Sequence, residues 1–329
     1  MKSLSRLPLI LLGAVLATGA AAATTAASPA AAAPLSMKVH DLASMFAQVW
    51  DRNVGKADEE FLRDFKASVV PKFPAFYGVE RYNGKKTEAQ RDAEILKARA
   101  EFPALREAYA KKVARFTQDL PVHLASFKAV FPDYVPNDIW FVHSLGEMDG
   151  GKRTFKGKSE FIFGADQMVK LHGNNDETFF FHHELFHDYQ PMQCKSWPVW
   201  TSLWQEGMAS YVAKVLNPNA TDGEMLLDLP VNMVPDTQKQ MKRALDDLYA
   251  KLDSTDQEAY SGLFLRRGDN SGMPARRGYY LGMLVAEEAA KTMSLQQMAR
   301  LDCDSVRPVV FAAVERLRSA QAAGGKRDE

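Results

Sequence analysis

Three of the chain's seven histidines fall in one short stretch, FFFHHELFHDYQ, from Phe179 to Gln190. On a helix, His183 and His187 stand at i and i+4, one turn apart on the same face, as a tetrahedral metal requires of two ligands from one helix. Glu184 is rotated about 100° from His183, and can act on a water polarised by that metal without taking a coordination position itself. His183-Glu184-Leu185-Phe186-His187 is an H-E-x-x-H motif, and the chemistry it suits is metal-assisted hydrolysis with Glu184 as general base. So short a motif needs a third protein ligand beside it. Glu206 offers one, separated from His187 by eighteen residues, in SLWQEGMASYVAKVLNP. Three protein ligands leave the fourth position of one Zn²⁺ per chain open, as catalytic rather than structural zinc sites do.

Two helices have to position these groups. In NNDETFFFHHELFHDYQP, Asn174 with Glu177 three residues on, an acidic first turn and Pro191 past the end predict a capped helix. Phe179, Phe180 and Phe181 read as its core anchors. Ser202 and Gln205 predict a capping box for the second helix, which stops at Asn217-Pro218 and so carries Glu206 in its first turn. Pro191 and Pro198 help the intervening chain to turn back. Elsewhere, residues 38 to 130 repeat apolar positions at helical spacing, with Pro103 as an expected interruption and pairs such as Glu107 and Lys111 on a solvated face. NDIWFVHSL and SEFIFGADQM read as strands, with Asp149 to Gly151 supplying turn chemistry between them. After residue 175 the pattern is mainly helical through Leu317. The expected fold is therefore mainly α, in the α+β class, with a small β-sheet beside the H-E-x-x-H helix.

H-E-x-x-H followed after eighteen residues by Glu resembles the gluzincin clan of zinc metallopeptidases. Leu203 to Tyr211, LWQEGMASY, is similar to the third-ligand block of the aminopeptidase N-like family. The likeness covers about residues 175 to 215; residues 38 to 170 do not look like that family's large β-rich N-terminal region, and the chain is far shorter. It therefore resembles the small bacterial gluzincins instead. The resemblance implies a zincin-like catalytic domain that holds Zn²⁺ through His183, His187 and Glu206 and hydrolyses peptide bonds in a peptide or unfolded protein. Thermolysin-like members carry an Asp four residues after the ligand Glu, bonding a zinc His; Ser210 stands there, a weaker acceptor.

Enzymes of this clan commonly use a downstream Tyr or His as oxyanion donor, and RRGYYLG, Arg276 to Gly282, holds Tyr279 and Tyr280. Tyr279 is favoured because G-Y-x-x-G resembles a recurring block of the small gluzincins. An aromatic pair packed in the core is the plainer alternative. GEMDG, Gly146 to Gly150, resembles the amine-binding G-x-M-E-N motif of aminopeptidases except at its last two positions, and a hairpin turn is the simpler reading. An aminopeptidase needs carboxylates for the substrate α-ammonium, with Asp149 the best upstream candidate. SEFIFGAD, Ser159 to Asp166, could instead be an edge strand along the cleft, as gluzincins commonly have, offering backbone groups to an extended peptide without a free terminus. Endopeptidase action is the expectation, aminopeptidase action the alternative. Two further readings are a non-catalytic zinc- or peptide-binding module and a helical structural protein with an accidental motif. His182, off the metal face, is expected in a surface or supporting role, and His143 and His172 are expected to be structural.

The bulk properties agree with an ordinary globular chain: 329 residues, 46% hydrophobic, 41 basic and 41 acidic. That balance argues against a nucleic-acid groove or a polybasic membrane surface. Lys2 and Arg6 before the apolar run Leu7 to Leu16, then the alanines from Ala20 to Ala23, predict a signal peptide over 1–23, with no stable membrane span after its removal. A low-complexity tether follows over 24–36, then the catalytic domain over 37–320 and a polar tail over 321–329. An exported protein, periplasmic or secreted, can oxidise Cys194 and Cys303; they read as either one disulfide or two buried thiols.

Overall fold

The computed structural model describes residues 37–192 and 194–324, so the expected signal peptide and tether lie outside the described residues. The chain begins with β1 (Val39–Asp41), α1 (Ala43–Arg52), α2 (Asp58–Ser68), α3 (Pro74–Tyr77) and α4 (Glu88–Val130). Then come β2 (Ile139–Val142), β3 (Gly150–Phe155), β4 (Lys158–Gly164), α5 (Ala165–His172), α6 (Thr178–Tyr189) and α7 (Val199–Leu216). The C-terminal part is α8 (Met233–Lys239), α9 (Met241–Lys251), α10 (Gln257–Phe264), α11 (Arg277–Ala290), α12 (Leu295–Ala299) and α13 (Cys303–Gly324). The fold is thus mainly helical with one small sheet, and α13 runs on into the segment expected as a polar tail. Among the described residues no helix is long and apolar enough to cross a membrane.

The long helix α4 starts at a capping box: Gln90 N–H donates to the Thr87 hydroxyl at 3.2 Å and Thr87 N–H donates to the Gln90 side chain at 2.8 Å. It does not break at Pro103, but continues through Pro103 and Pro121 for 43 residues. Each proline deletes one backbone donor, yet Phe102, Tyr109, Phe116, Leu120 and Phe127 bury one face on both sides of them and hold the turns to the core.

The sheet order is β1-β2-β4-β3, with β1–β2 and β2–β4 parallel and β3–β4 antiparallel. This corrects the sequence reading in three ways. Gly150 and Gly151 are not a turn but open a strand, GGKRTF, opposite Phe163 and Ile162; its glycines and charges disguised it. The tight turn is Lys156-Gly157, whose φ values of 49° and 83° suit a two-residue hairpin loop. GEMDG accordingly runs from the loop after β2 into the first residue of β3, and those two strands are not neighbours. Third, SEFIFGAD is no edge: β4 lies between β2 and β3 and is buried from Glu160 to Gly164, so the edges are β1 and β3.

Two contacts bring distant segments toward α6 and α7. Cys194 and Cys303 form a disulfide across a separation of 109 residues, tying the α6–α7 connection to the start of α13. Helices α7 and α11 cross at Gly207 and Gly282, where a Cβ added to Gly207 would lie 2.3 Å from the Gly282 carbonyl. Only glycine permits backbones so close.

Candidate metal centre

Helix α6 is nearly all core. Phe181 packs against His123 at 4.6 Å and Phe163 at 5.3 Å between ring centroids, and Phe180 against Phe163 at 5.8 Å. Its start differs from expectation: Asn174 does not cap it, and Thr178 N–H donates to the Asp176 carboxylate at 2.7 Å. Glu177 is drawn away to buried cations, His172 at 2.6 Å and Lys112 at 2.8 Å. Helix α7 also begins earlier than the Ser202–Gln205 pair suggested, following Pro198, with Val199 and Trp200 N–H donating to Ser254 and Leu252 carbonyls at 2.9 and 3.0 Å. Glu206 therefore sits two turns into α7, not in its first turn.

There it meets α6. The Nε2 atoms of His183 and His187 are 3.0 Å apart, and each lies 3.3 Å from Oε2 of Glu206. Bonds of about 2.0–2.1 Å in a tetrahedron set ligand atoms about 3.3 Å apart, so this triangle has the dimensions of one face of a zinc site. The two-imidazole, one-carboxylate donor set is also one of those that catalytic zinc uses. His183, His187 and Glu206 are the group brought together in this way among the described residues. Their charges agree. Burial opposes ionisation of Glu206, but the two imidazoles overcome it and hold the carboxyl well below its usual range. Burial likewise opposes charge on both histidines; it prevails at His183, whereas the Glu206 carboxylate raises His187. The cluster thus sets one carboxylate against two imidazoles whose shifts run in opposite directions. The Ser210 hydroxyl lies 3.4 Å from His183 Nδ1, a long contact at the position of the expected weaker support.

Glu184 is buried beside this triangle, and its Oε2 has no hydrogen-bond partner among the described residues. Burial pushes its carboxyl up to about 7. The start of β3 leaves it room: a Cβ on Gly150 would come within 3.1 Å of Glu184 Cγ. All four groups open into a cleft of about 560 Å³ that Tyr279 also lines. The Gly207–Gly282 crossing delivers Tyr279 there, one turn before Gly282. Burial, with the Glu206 charge added, raises its pKa, so the phenol stays protonated. Tyr280 points elsewhere, its hydroxyl accepting from the Gln238 amide at 2.9 Å.

Three of the other histidines have identifiable structural partners. His182 is buried rather than at the surface, bonded to Ser126 at 2.7 Å and Asn217 at 2.8 Å. His143 is a core ring stacked on Phe46. His172 has more to do, since its Nε2 lies 3.2 Å from Asp149 Oδ2 and thereby occupies that cleft carboxylate. Arg153, Trp197, Tyr260 and Arg276, also in the cleft wall, had no local sequence signal; they come from a misread strand and from loops or helix ends far along the chain. Compared with family models, with curated proteins and with solved structures, the chain finds no match in any of the three.

Proposed function

We propose that the chain is an exported zinc peptidase of gluzincin type that cleaves within extended or unfolded polypeptides. The observation that carries this reading is the convergence of His183, His187 and Glu206 on one point, with the unpartnered carboxylate of Glu184 beside them in an open cleft. Zn²⁺ held by the three would supply Lewis-acid polarisation of the carbonyl and a water acidified toward neutral pH. Glu184 accepts a proton from the attacking water and returns it to the leaving amine, a task suited to a carboxyl poised near 7. Tyr279 donates its phenol proton in a hydrogen bond to the developing oxyanion.

Two features favour internal cleavage. The edge strand β3 pairs with β4 on one side and lines the cleft with Gly150 to Arg153, so its other side is available to an extended peptide. Asp149 is already matched by His172 and is not spare for an α-ammonium. The Cys194–Cys303 disulfide fits an oxidising compartment. A module that only binds zinc or peptide has no use for a buried carboxylate without a partner. The deciding experiment compares peptides with free and acetylated N-termini by mass spectrometry, with Glu184→Gln as the blank. Internal cleavage of both is expected; stepwise loss of single residues from free N-termini alone would show an aminopeptidase.

A further inference from the structure

Most charges around the cleft are already matched. Glu147 pairs with Arg81 and Arg91, Asp149 with His172, Glu206 with the two imidazoles, and Lys152 with the buried Asp188 at 3.3 Å. Arg153 and Arg276 line the same cleft, and neither meets a carboxylate among the described residues.

Arg153 lies on β3, where its guanidinium donates to the Lys152 carbonyl at 2.9 Å. It stands over bare backbone: a Cβ built on Gly151 would lie 3.7 Å from Arg153 Nη1 and 3.6 Å from Glu184 Oε2. Guanidinium and general base therefore flank the same glycine. Arg276 caps α11 in a left-handed conformation, φ 61°, unusual for a residue with a side chain. One of its nitrogens donates to the carbonyls of Leu226 at 2.9 Å and Leu229 at 2.8 Å, and its guanidinium lies 4.6 Å from the Tyr279 ring centroid. Thus one cation is held beside the base and the other over the phenol. An arginine presents five N–H donors in a planar fork that matches a carboxylate, and two permanently charged forks that form no ion pair among the described residues favour an anionic ligand.

We propose that Arg153 and Arg276 read a carboxylate of the substrate, so that the preferred peptides carry one within a residue or two of the scissile bond. The inference rests on the peptidase reading for the identity of the ligand as a peptide. The carboxylate is either an Asp or Glu side chain, which internal cleavage accommodates, or a C-terminus.

The test uses the zinc-loaded full chain carrying Glu184→Gln, so that binding is read without turnover. Fluorescence anisotropy measures labelled peptides of one sequence in four forms: Glu or Gln flanking the central bond, each with a free or amidated C-terminus. Acidic forms are expected to bind about tenfold more tightly than the neutral form, from charge-assisted hydrogen bonds partly open to solvent. A Glu-over-Gln preference assigns the side chain as source, and an acid-over-amide preference assigns the terminus. Adding Arg153→Gln, an exposed change that leaves the core untouched, should bring the ratio close to one. Equal binding of all four forms, no binding of any, or a preference that survives Arg153→Gln overturns the proposal. Hydrolysis by the unaltered chain is scored separately: cleavage of neutral and acidic peptides alike would retain the peptidase reading and remove this one.

Discussion

Two histidine–carboxylate clusters flank Glu184, built from the same residue types with opposite results. In one, His172 lies between Asp149 and Glu177, and Lys112 reaches Glu177 at 2.8 Å, so two anions and two cations balance. Its cations are sealed, with side-chain exposures of 2% for His172 and 7% for Lys112, and only Asp149, at 25%, faces the cleft. In the other, two imidazoles converge on one carboxylate and remain in contact with the cleft, at 12% for His183, 20% for His187 and 26% for Glu206. The first has its countercharges built in and needs nothing from outside. The second points three electron-pair donors at a common centre, an arrangement that repels itself unless a cation sits there. What separates a structural cluster from a candidate metal site is therefore the direction of its donor atoms and whether its cations are built in.

The sharpest way to break this comparison is at the converging cluster. Glu184→Gln should retain about one Zn²⁺ per chain and lose peptide hydrolysis by roughly 10³-fold, because the amide keeps the shape of the carboxylate and cannot accept the proton. His183→Ala, His187→Ala and Glu206→Ala should each lose the zinc as well, measured by elemental analysis after gel filtration. Full zinc occupancy in Glu206→Ala would dismiss it as a ligand, and undiminished turnover in Glu184→Gln would dismiss the general base.

The sealed cluster should respond in stability instead. His172→Leu leaves Asp149 and Glu177 less compensated in a buried position and is expected to cost about 3 kcal/mol in urea denaturation. Zinc should raise the melting temperature of the unaltered chain and of His172→Leu alike, but not that of Glu206→Ala. A zinc effect lost with His172 would mean that the two clusters are one site.

Acidity distinguishes them further. Burial opposes charge on His172, but the hydrogen bonds that its ring donates to Asp149 and Glu177 outweigh it and raise its pKa. A group raised in this way contributes its full stabilisation below its unfolded value of about 6.5 and loses it as pH rises through the folded value. Metal-free protein should therefore lose stability from about pH 6.5 upward through this group, and His172→Leu should be flatter in that window. A variant as steep as the unaltered chain would show that His172 is not the group responsible. The smallest effect is expected at Ser210→Ala: a 3.4 Å contact is long, so zinc affinity in a chelator competition should fall less than the roughly tenfold of a strong supporting bond.

The sequence by itself determined what is local. The i,i+4 spacing of His183 and His187, the offset of Glu184, the helical character of Glu206's segment and the α+β balance all follow from periodicity and residue type, which the chain carries without reference to distant neighbours. Helix starts were legible only roughly, because Pro198 and the Ser254 carbonyl, not Ser202, set the beginning of α7, and because Lys112 and His172 took Glu177 away from the start of α6. Only tertiary structure decided which strand forms the edge, since GGKRTF lacks an apolar pattern and owes its pairing to β4. It also decided that Cys194 meets Cys303 and that Tyr279, not Tyr280, turns into the cleft, through the contact of Gly207 with Gly282. The same holds for the charges: that Asp149 is matched while Arg153 and Arg276 are not depends on side chains that come from separate elements. Pairing of ionised groups is a matter of a few ångströms in space, and sequence separation does not encode it.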